Sequence, residues 1–183
     1  MASTYKEGII YRVVPYNPWW KDGERNPDRN DDTRRIMDLK NPKAYNHQAA
    51  INYFGAKFTA GTRKIMDYLD IDQVQIAIVP SSKVDKRSVG LEGVIAHANQ
   101  GEVVYNPLFL VRIKDIDSAH EGGIRSKQQH LDTIEVHVVP DPKIPVVLLD
   151  DVATTGTSFD ACEQILRDAG VKEIYTVALG KTV

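Results

Sequence analysis

Residues 146–159 read VVLLDDVATTGTSF, and the order of residue types in this stretch decides the fold. The first four residues are all apolar, as in a strand that is buried on both faces of a parallel sheet. Two adjacent carboxylates, Asp150 and Asp151, end the strand. A turn of small hydroxyl residues around Gly156 then opens directly into a helix. This order is typical of α/β proteins, whose ligands bind at the carboxyl ends of the strands.

Patterns typical of strands and helices alternate on either side of this stretch. Apolar residues between 51 and 69 recur at steps of three, four and seven, which predicts an amphipathic helix with Gly55 and Gly61 as points of a break or kink. Strands separated by helices predict a mainly parallel central sheet flanked by helices. Strands are predicted at 8–14, 74–79, 108–113, 133–139, 146–149 and 174–179, and helices at 51–70, 88–99 and 157–169.

The composition excludes several classes of function. The 23 Lys and Arg side chains do not exceed the 25 Asp and Glu side chains, so the net charge of -2 lacks the basic excess that drives nonspecific nucleic-acid binding. Cys162 is the single cysteine of the sequence, which rules out an internal disulfide and a multi-cysteine zinc site and fits a reducing compartment. No apolar run approaches the roughly 18 residues that cross a bilayer. We therefore expect a cytoplasmic protein without a membrane or nucleic-acid partner.

The N-terminal quarter is more polar than the rest. Residues 17–46 contain several prolines and charges of both signs, which predicts a surface excursion. Trp19 and Trp20 interrupt it, and we expect them to pack against the domain, with stacking on a ligand base as the alternative. We therefore divide the chain into a small N-terminal hood of irregular structure, residues 1–48, and a core domain, residues 49–183.

The turn after the buried strand suits a sugar phosphate. A helix N-terminus offers unpaired backbone N–H groups and the positive end of a dipole, so residues 154–158 can close around a phosphate. Asp150 and Asp151 can accept hydrogen bonds from two vicinal ribose hydroxyls or hold a hydrated cation. The alternative is a strand end and helix cap with a structural role alone. A phosphate site and a diol site at one turn describe a ribose 5-phosphate.

This stretch resembles the signature of the type I phosphoribosyltransferases, Asp-Asp-Val-x-Thr-x-Gly-x-[Ser/Thr], at every signature position. The resemblance implies the fold of that family and binding of 5-phosphoribosyl 1-pyrophosphate (PRPP) with Mg²⁺. It implies that Asp150 and Asp151 are catalytic and contact Mg²⁺ indirectly. The implied 5-phosphate-binding residues are Ala153, Thr154, Thr155, Gly156, Thr157 and Ser158.

Two other segments match the family's order. The segment after the first core strand corresponds to the pyrophosphate loop, and its implied ligands are Pro80, Ser81, Ser82 and Lys83. Residues 114–132 match the mobile catalytic loop that closes over PRPP, with a hinge-like pair at Gly122 and Gly123. Arg125 and Lys127 are its implied catalytic cations, and a solvated surface role is the alternative for each.

Residues 175–181 resemble the terminus of the ComF-like branch, a group related to competence proteins and to amidophosphoribosyltransferase-like proteins. The resemblance implies an enzyme that transfers the phosphoribosyl group to a nitrogen acceptor and releases pyrophosphate, with a homodimer as a possible assembly. Two alternatives stay open. One is a catalytically inactive protein that senses PRPP or a nucleotide on the same fold, and the other is an accessory protein in DNA uptake or defence.

Overall fold

The computed structural model describes residues 8–21, 23–98, 101–116 and 126–182. Five helices and nine strands lie within these residues. The strands are β1 (Ile10–Tyr16), β2 (Trp20–Lys21), β3 (Glu24–Arg25), β4 (Val74–Ile78), β5 (Val103–Tyr105), β6 (Val111–Arg112), β7 (Ile134–Glu135), β8 (Val146–Ala153) and β9 (Ile174–Thr182). The helices are α1 (Asp31–Lys40), α2 (His47–Leu69), α3 (Val89–Ile95), α4 (Lys127–Leu131) and α5 (Thr157–Asp168).

The central sheet has five strands in the order β1-β9-β8-β4-β5, and every neighbouring pair is parallel. The predicted buried strand, β8, occupies the centre. Its residues alternate between two cores. Val147 and Leu149 pack with α1, α2 and α3, whereas Val146 and Leu148 pack with α5. The expectation of a parallel sheet with helices on both faces is therefore confirmed.

The expectation that residues 17–46 form a surface excursion was wrong, because they contain helix α1. Asn30 caps this helix by accepting a hydrogen bond from the backbone N–H of Thr33. Ile36 and Leu39 face the core and are buried. Asp31 and Arg34 are exposed on the outer side of the helix, where they form an ion pair one helical turn apart.

Strand β1 differs from its prediction as well. It continues through Pro15 to Tyr16, where a stop at Pro15 was predicted. Proline is tolerated here because β1 is an edge strand, so the missing N–H removes no bond to a neighbour. The predicted hood thus contributes a strand to the central sheet. The division at residue 48 stays a prediction.

The segment after α3 was predicted least well. The edge strand of the sheet is β5, which was not predicted, and the predicted strand at 108–113 reduces to β6, paired antiparallel with β7. The predicted strand at 133–139 also shortens, because the N–H groups of His137 and Val138 both donate to the carbonyl of Leu108 instead of extending a ladder.

Helix α2 runs through Gly55 and Gly61 without interruption, so the expected break does not occur. Trp19 packs under Arg25, whose guanidinium carbon lies 5.9 Å from the ring centroid. The expectation that Trp20 packs against the domain was wrong, because its side chain is 61% exposed. Among the described residues no helix is long and apolar enough to cross a bilayer.

Candidate functional site

Two of the predicted binding segments begin side by side at the carboxyl edge of the sheet. Ile78 at the end of β4 is in register with Leu149 of β8, and the N–H of Val79 donates to the carbonyl of Leu149 over 2.9 Å. The loop of residues 80–83 and the turn of residues 154–158 therefore both leave the sheet at this edge, where open α/β sheets bind their ligands.

The turn between β8 and α5 is built around Gly156, which has a φ of +84°. Conformation therefore favours glycine here, and a Cβ atom would also lie 2.9 Å from Cδ1 of Ile10, the flexible end of that side chain. Gly156 has no side chain to cap α5, and the N–H of Thr157 donates instead to the hydroxyl of Thr155 over a long 3.5 Å, while the hydroxyls of Thr155 and Thr157 lie 2.9 Å apart. Thr154 and Thr155 are exposed. An anion at the positive end of the helix dipole can therefore bind here by taking these donors from their local partners.

The adjacent aspartates lie within β8, which continues past them to Ala153 instead of ending at them as predicted. Because successive strand residues point to opposite faces, the two carboxylates diverge. Asp151 lies on the side of α1, and Asp150 lies on the side of α5, where burial and then the charge of Asp150 raise the pKa of Cys162. Asp150 Oδ1 accepts the backbone N–H of Asp151 over 2.8 Å.

Lys40, the last residue of α1, pairs with the second aspartate. Its Nζ lies 3.1 Å from Oδ1 of Asp151, and the two side chains are 46% and 26% exposed. Burial lowers the pKa of Lys40, but the charges of Asp151, Asp150 and Tyr16 outweigh it, so the pKa lies above the ordinary lysine value. Burial is also the main reason for the raised pKa of Tyr16. Helix α1 thereby brings a cation to the candidate sugar site.

The loop of residues 80–83 is held by a buried arginine that the sequence did not single out. Arg112 is 4% exposed, and its Nε donates to the carbonyl of Ser81 over 2.8 Å while Nη2 donates to that of Pro80 over 3.4 Å. The same guanidinium reaches Thr133 and Nδ1 of His130. One cation therefore links this loop to α4 and the residues that follow it.

Lys83 at the end of the loop faces Asp115. Their Nζ and Oδ2 atoms are 3.4 Å apart, and the N–H of Val84 donates to the other carboxylate oxygen over 2.7 Å. This backbone hydrogen bond is the main reason why the pKa of Asp115 lies below its usual value, and the charge of Lys83 acts in the same direction. The lysine is thus oriented by a neighbouring segment of the chain.

A pocket of about 210 Å³ lies beside this loop, at the ends of β4 and β5. Glu92 stands on its wall and binds Arg87 through both oxygens, at 3.0 and 2.9 Å. The hydroxyl of Tyr105 donates to the same carboxylate over 3.0 Å, and burial followed by the charge of Glu92 raises the pKa of this tyrosine. The pocket thus places a hydrogen-bonded cluster of charged side chains next to the predicted pyrophosphate loop.

No protein-family model matches the sequence, and no curated protein matches it either.

The predicted site residues fall into two groups. The structure gathers those of β8, its turn and the loop of residues 80–83 at one edge of the sheet. Lys127 opens α4, and Ser126 caps it through a capping box with Gln129. Arg125, Gly122 and Gly123 lie outside the described residues. The prediction that this segment closes over a substrate thus stays a prediction.

The fit of Asp150 and Asp151 to Mg²⁺ depends on ligands from outside the chain. Among the described residues no group of three or more His, Cys, Asp or Glu side chains could hold a metal ion. Asp150 and Asp151 diverge, and Asp151 already binds Lys40. Mg²⁺ in proteins often takes one or two carboxylates together with waters and substrate phosphate oxygens. The aspartates fit that arrangement, in which most ligands come from the substrate and from water.

Proposed function

We propose that this protein is a phosphoribosyltransferase of the type I fold, which binds PRPP with Mg²⁺, transfers the phosphoribosyl group to a nitrogen acceptor and releases pyrophosphate. One observation carries the proposal. The N-terminus of α5, where Gly156 offers no capping side chain, comes one short turn after the two carboxylates near the carboxyl end of the central strand. A phosphate and a sugar diol on one molecule would satisfy both parts.

The residues divide the substrate between them in this proposal. The turn of residues 154–158 receives the 5-phosphate through backbone N–H groups and hydroxyls. Asp150 and Asp151 accept hydrogen bonds from the ribose hydroxyls and stabilise the positive charge that develops on the ring as pyrophosphate departs. Lys40 exchanges its bond to Asp151 for one to the bound anion. The acceptor nitrogen then forms the new bond to the anomeric carbon.

The diphosphate lies against the loop of residues 80–83, whose geometry Arg112 fixes and whose cation is Lys83. Mg²⁺ would neutralise charge on the diphosphate oxygens, with Asp150 and Asp151 contacting it through water. The segment that carries Arg125 and Lys127 would close over the substrate and exclude water, because hydrolysis of PRPP competes with transfer.

Calorimetric titration with PRPP at millimolar Mg²⁺ tests the binding site. We expect the wild-type protein to bind and the double variant Asp150→Asn, Asp151→Asn to lose at least tenfold in affinity. Asp67→Asn with Asp168→Asn is the matched control, because it removes two exposed acids that lie away from the β8–α5 turn. Equal affinity of the double variant and the control, or no binding by the wild type, would refute the proposal.

Pyrophosphate release separates an enzyme from a sensor. The protein is incubated with PRPP, Mg²⁺ and a panel of nitrogenous bases and amines, and released pyrophosphate is measured. Release with one acceptor identifies the substrate class. Binding without release across the panel would leave the PRPP site intact but favour the inactive, nucleotide-sensing alternative. We also propose a cytoplasmic location and membership of the ComF-like branch. A homodimer is the proposed assembly, and analytical ultracentrifugation measures it directly.

A further inference from the structure

A second pocket, of about 400 Å³, lies between β1, β9 and α2. It is lined by none of the residues of the β8–α5 turn or of the loop of residues 80–83. We call it the α2 pocket. The lining residues used below are Arg12, Lys57, Phe58, Gly61, Lys64 and Ile65.

The described lining of the α2 pocket is positively charged. Arg12, Lys57 and Lys64 line the pocket, and none of the lining residues that the structure describes is acidic. Within the described part of the chain no carboxylate forms an ion pair with any of these three cations. Lys57 instead lies 4.9 Å from the ring centroid of Tyr53. Because the whole chain carries a net charge of -2, this concentration of positive charge is local and attracts an anion.

The open space beside Gly61 supports a binding site independently of the charges. Gly61 lies inside the 23-residue helix α2, where glycine is less stable than alanine. A Cβ atom at Gly55 would lie 2.4 Å from the ring of His97, and one at Gly90 would lie 2.3 Å from the carbonyl of Leu39. At Gly61 such an atom would meet nothing within 4 Å. Close packing therefore explains Gly55 in α2 and Gly90 in α3, but it does not explain Gly61. The missing side chain of Gly61 leaves the pocket open.

The floor and dimensions define the ligand class. Phe58 and Ile65 are each 2% exposed and give the pocket an apolar floor. Lys57 and Lys64 stand two helical turns apart, about 10 Å along the axis, on either side of Gly61. A pocket of this size, apolar with a few convergent polar groups, is typical of small-molecule sites.

We infer that the α2 pocket binds a small organic anion, with its apolar body over Gly61 and its carboxylate or phosphate between the three cations. This site is separate from the proposed PRPP site and does not depend on it. A macromolecular occupant fits less well. A second copy of the chain would bring like charges together, and Pro15 on β1 removes a backbone donor from the edge that another strand would need.

Displacement of 8-anilinonaphthalene-1-sulfonate, followed by fluorescence, tests the inference. Decanoate and AMP are the two competitors, with decanol and adenosine as their uncharged counterparts, so the arms separate an acyl carboxylate from a nucleoside phosphate. All titrations use the Asp150→Asn, Asp151→Asn variant as well as the wild type, which keeps binding at the PRPP site apart. We expect saturable binding of the dye, displacement by one anion and at least tenfold weaker action of its uncharged counterpart.

Gly61→Leu is the decisive substitution, because leucine favours a helix and fills open space, so the protein should stay folded. We expect it to weaken dye binding at least tenfold without lowering the melting temperature. Ala56→Leu, at an exposed position of α2 outside the pocket, is the matched control and should bind as the wild type does. Unchanged binding by Gly61→Leu would overturn the inference, as would wild-type protein that binds no probe. A larger oligomer that Gly61→Leu abolishes would overturn it in favour of a second copy of the chain.

Discussion

The substitution Gly156→Ala tests the central turn of the candidate site. At a φ of +84° an L-residue is strained, at a cost of about 1–2 kcal/mol. The added Cβ would also lie 2.9 Å from Cδ1 of Ile10, the end of a flexible side chain that can move at a smaller cost. We therefore expect urea denaturation to give a loss of about 1–3 kcal/mol in the free energy of unfolding.

The effect on ligand binding should exceed the effect on stability alone. Because the backbone of the turn must change conformation to accept the methyl group, its N–H groups no longer point at the phosphate. We therefore expect the PRPP affinity measured by calorimetry to fall at least tenfold. Gly170→Ala is the matched control: Gly170 has a φ of +102° with nothing within 4 Å of a new Cβ, so it adds strain far from the site. Wild-type affinity in a folded Gly156→Ala protein would refute the assigned role of this turn.

Two more predictions concern Lys40 and Cys162. Lys40→Met should cost up to about 1 kcal/mol of stability at pH 8, as for a half-exposed ion pair. Because the folded pKa of Lys40 is raised, this contribution is present in full below the ordinary lysine pKa of 10.5 and is lost as the pH rises through the folded pKa, so wild type and variant should converge in urea denaturation at high pH. Cys162 is buried with a raised pKa, so it should react with a thiol reagent such as dithionitrobenzoate only at the rate of unfolding, and rapid native-state labelling would contradict its position in the core.

Local sequence patterns were sufficient for the centre of the fold. The apolar run of β8 and the apolar spacing of α5 predicted both elements because a buried strand and an amphipathic helix leave periodic signatures. The same local signals were present for α1, where Asn30 precedes two acidic residues and Ile36 and Leu39 share a face. The high density of charged residues nevertheless led to the prediction of a surface excursion at this position. A capping residue with acids in the first turn was the signal that could have identified the helix.

Tertiary contacts at the site were beyond reach of such patterns. Lys40 and Asp151 are 111 residues apart in sequence, and their pairing depends on how α1 packs against the end of β8. Arg112 lies in a strand of two residues, too short for a periodic signal, and its hydrogen bonds go to loop carbonyls that any residue possesses. Side chains of this kind become visible only when the backbone positions of several elements are known.

The alternation of β8 residues between two cores has a consequence for folding. Since Val147 and Leu148 are neighbours in sequence but belong to opposite faces, neither layer of helices can detach without exposing the strand that the other layer also needs. The two layers should therefore melt together in a single cooperative step. A calorimetric enthalpy of unfolding equal to the van't Hoff enthalpy would show that both layers unfold together.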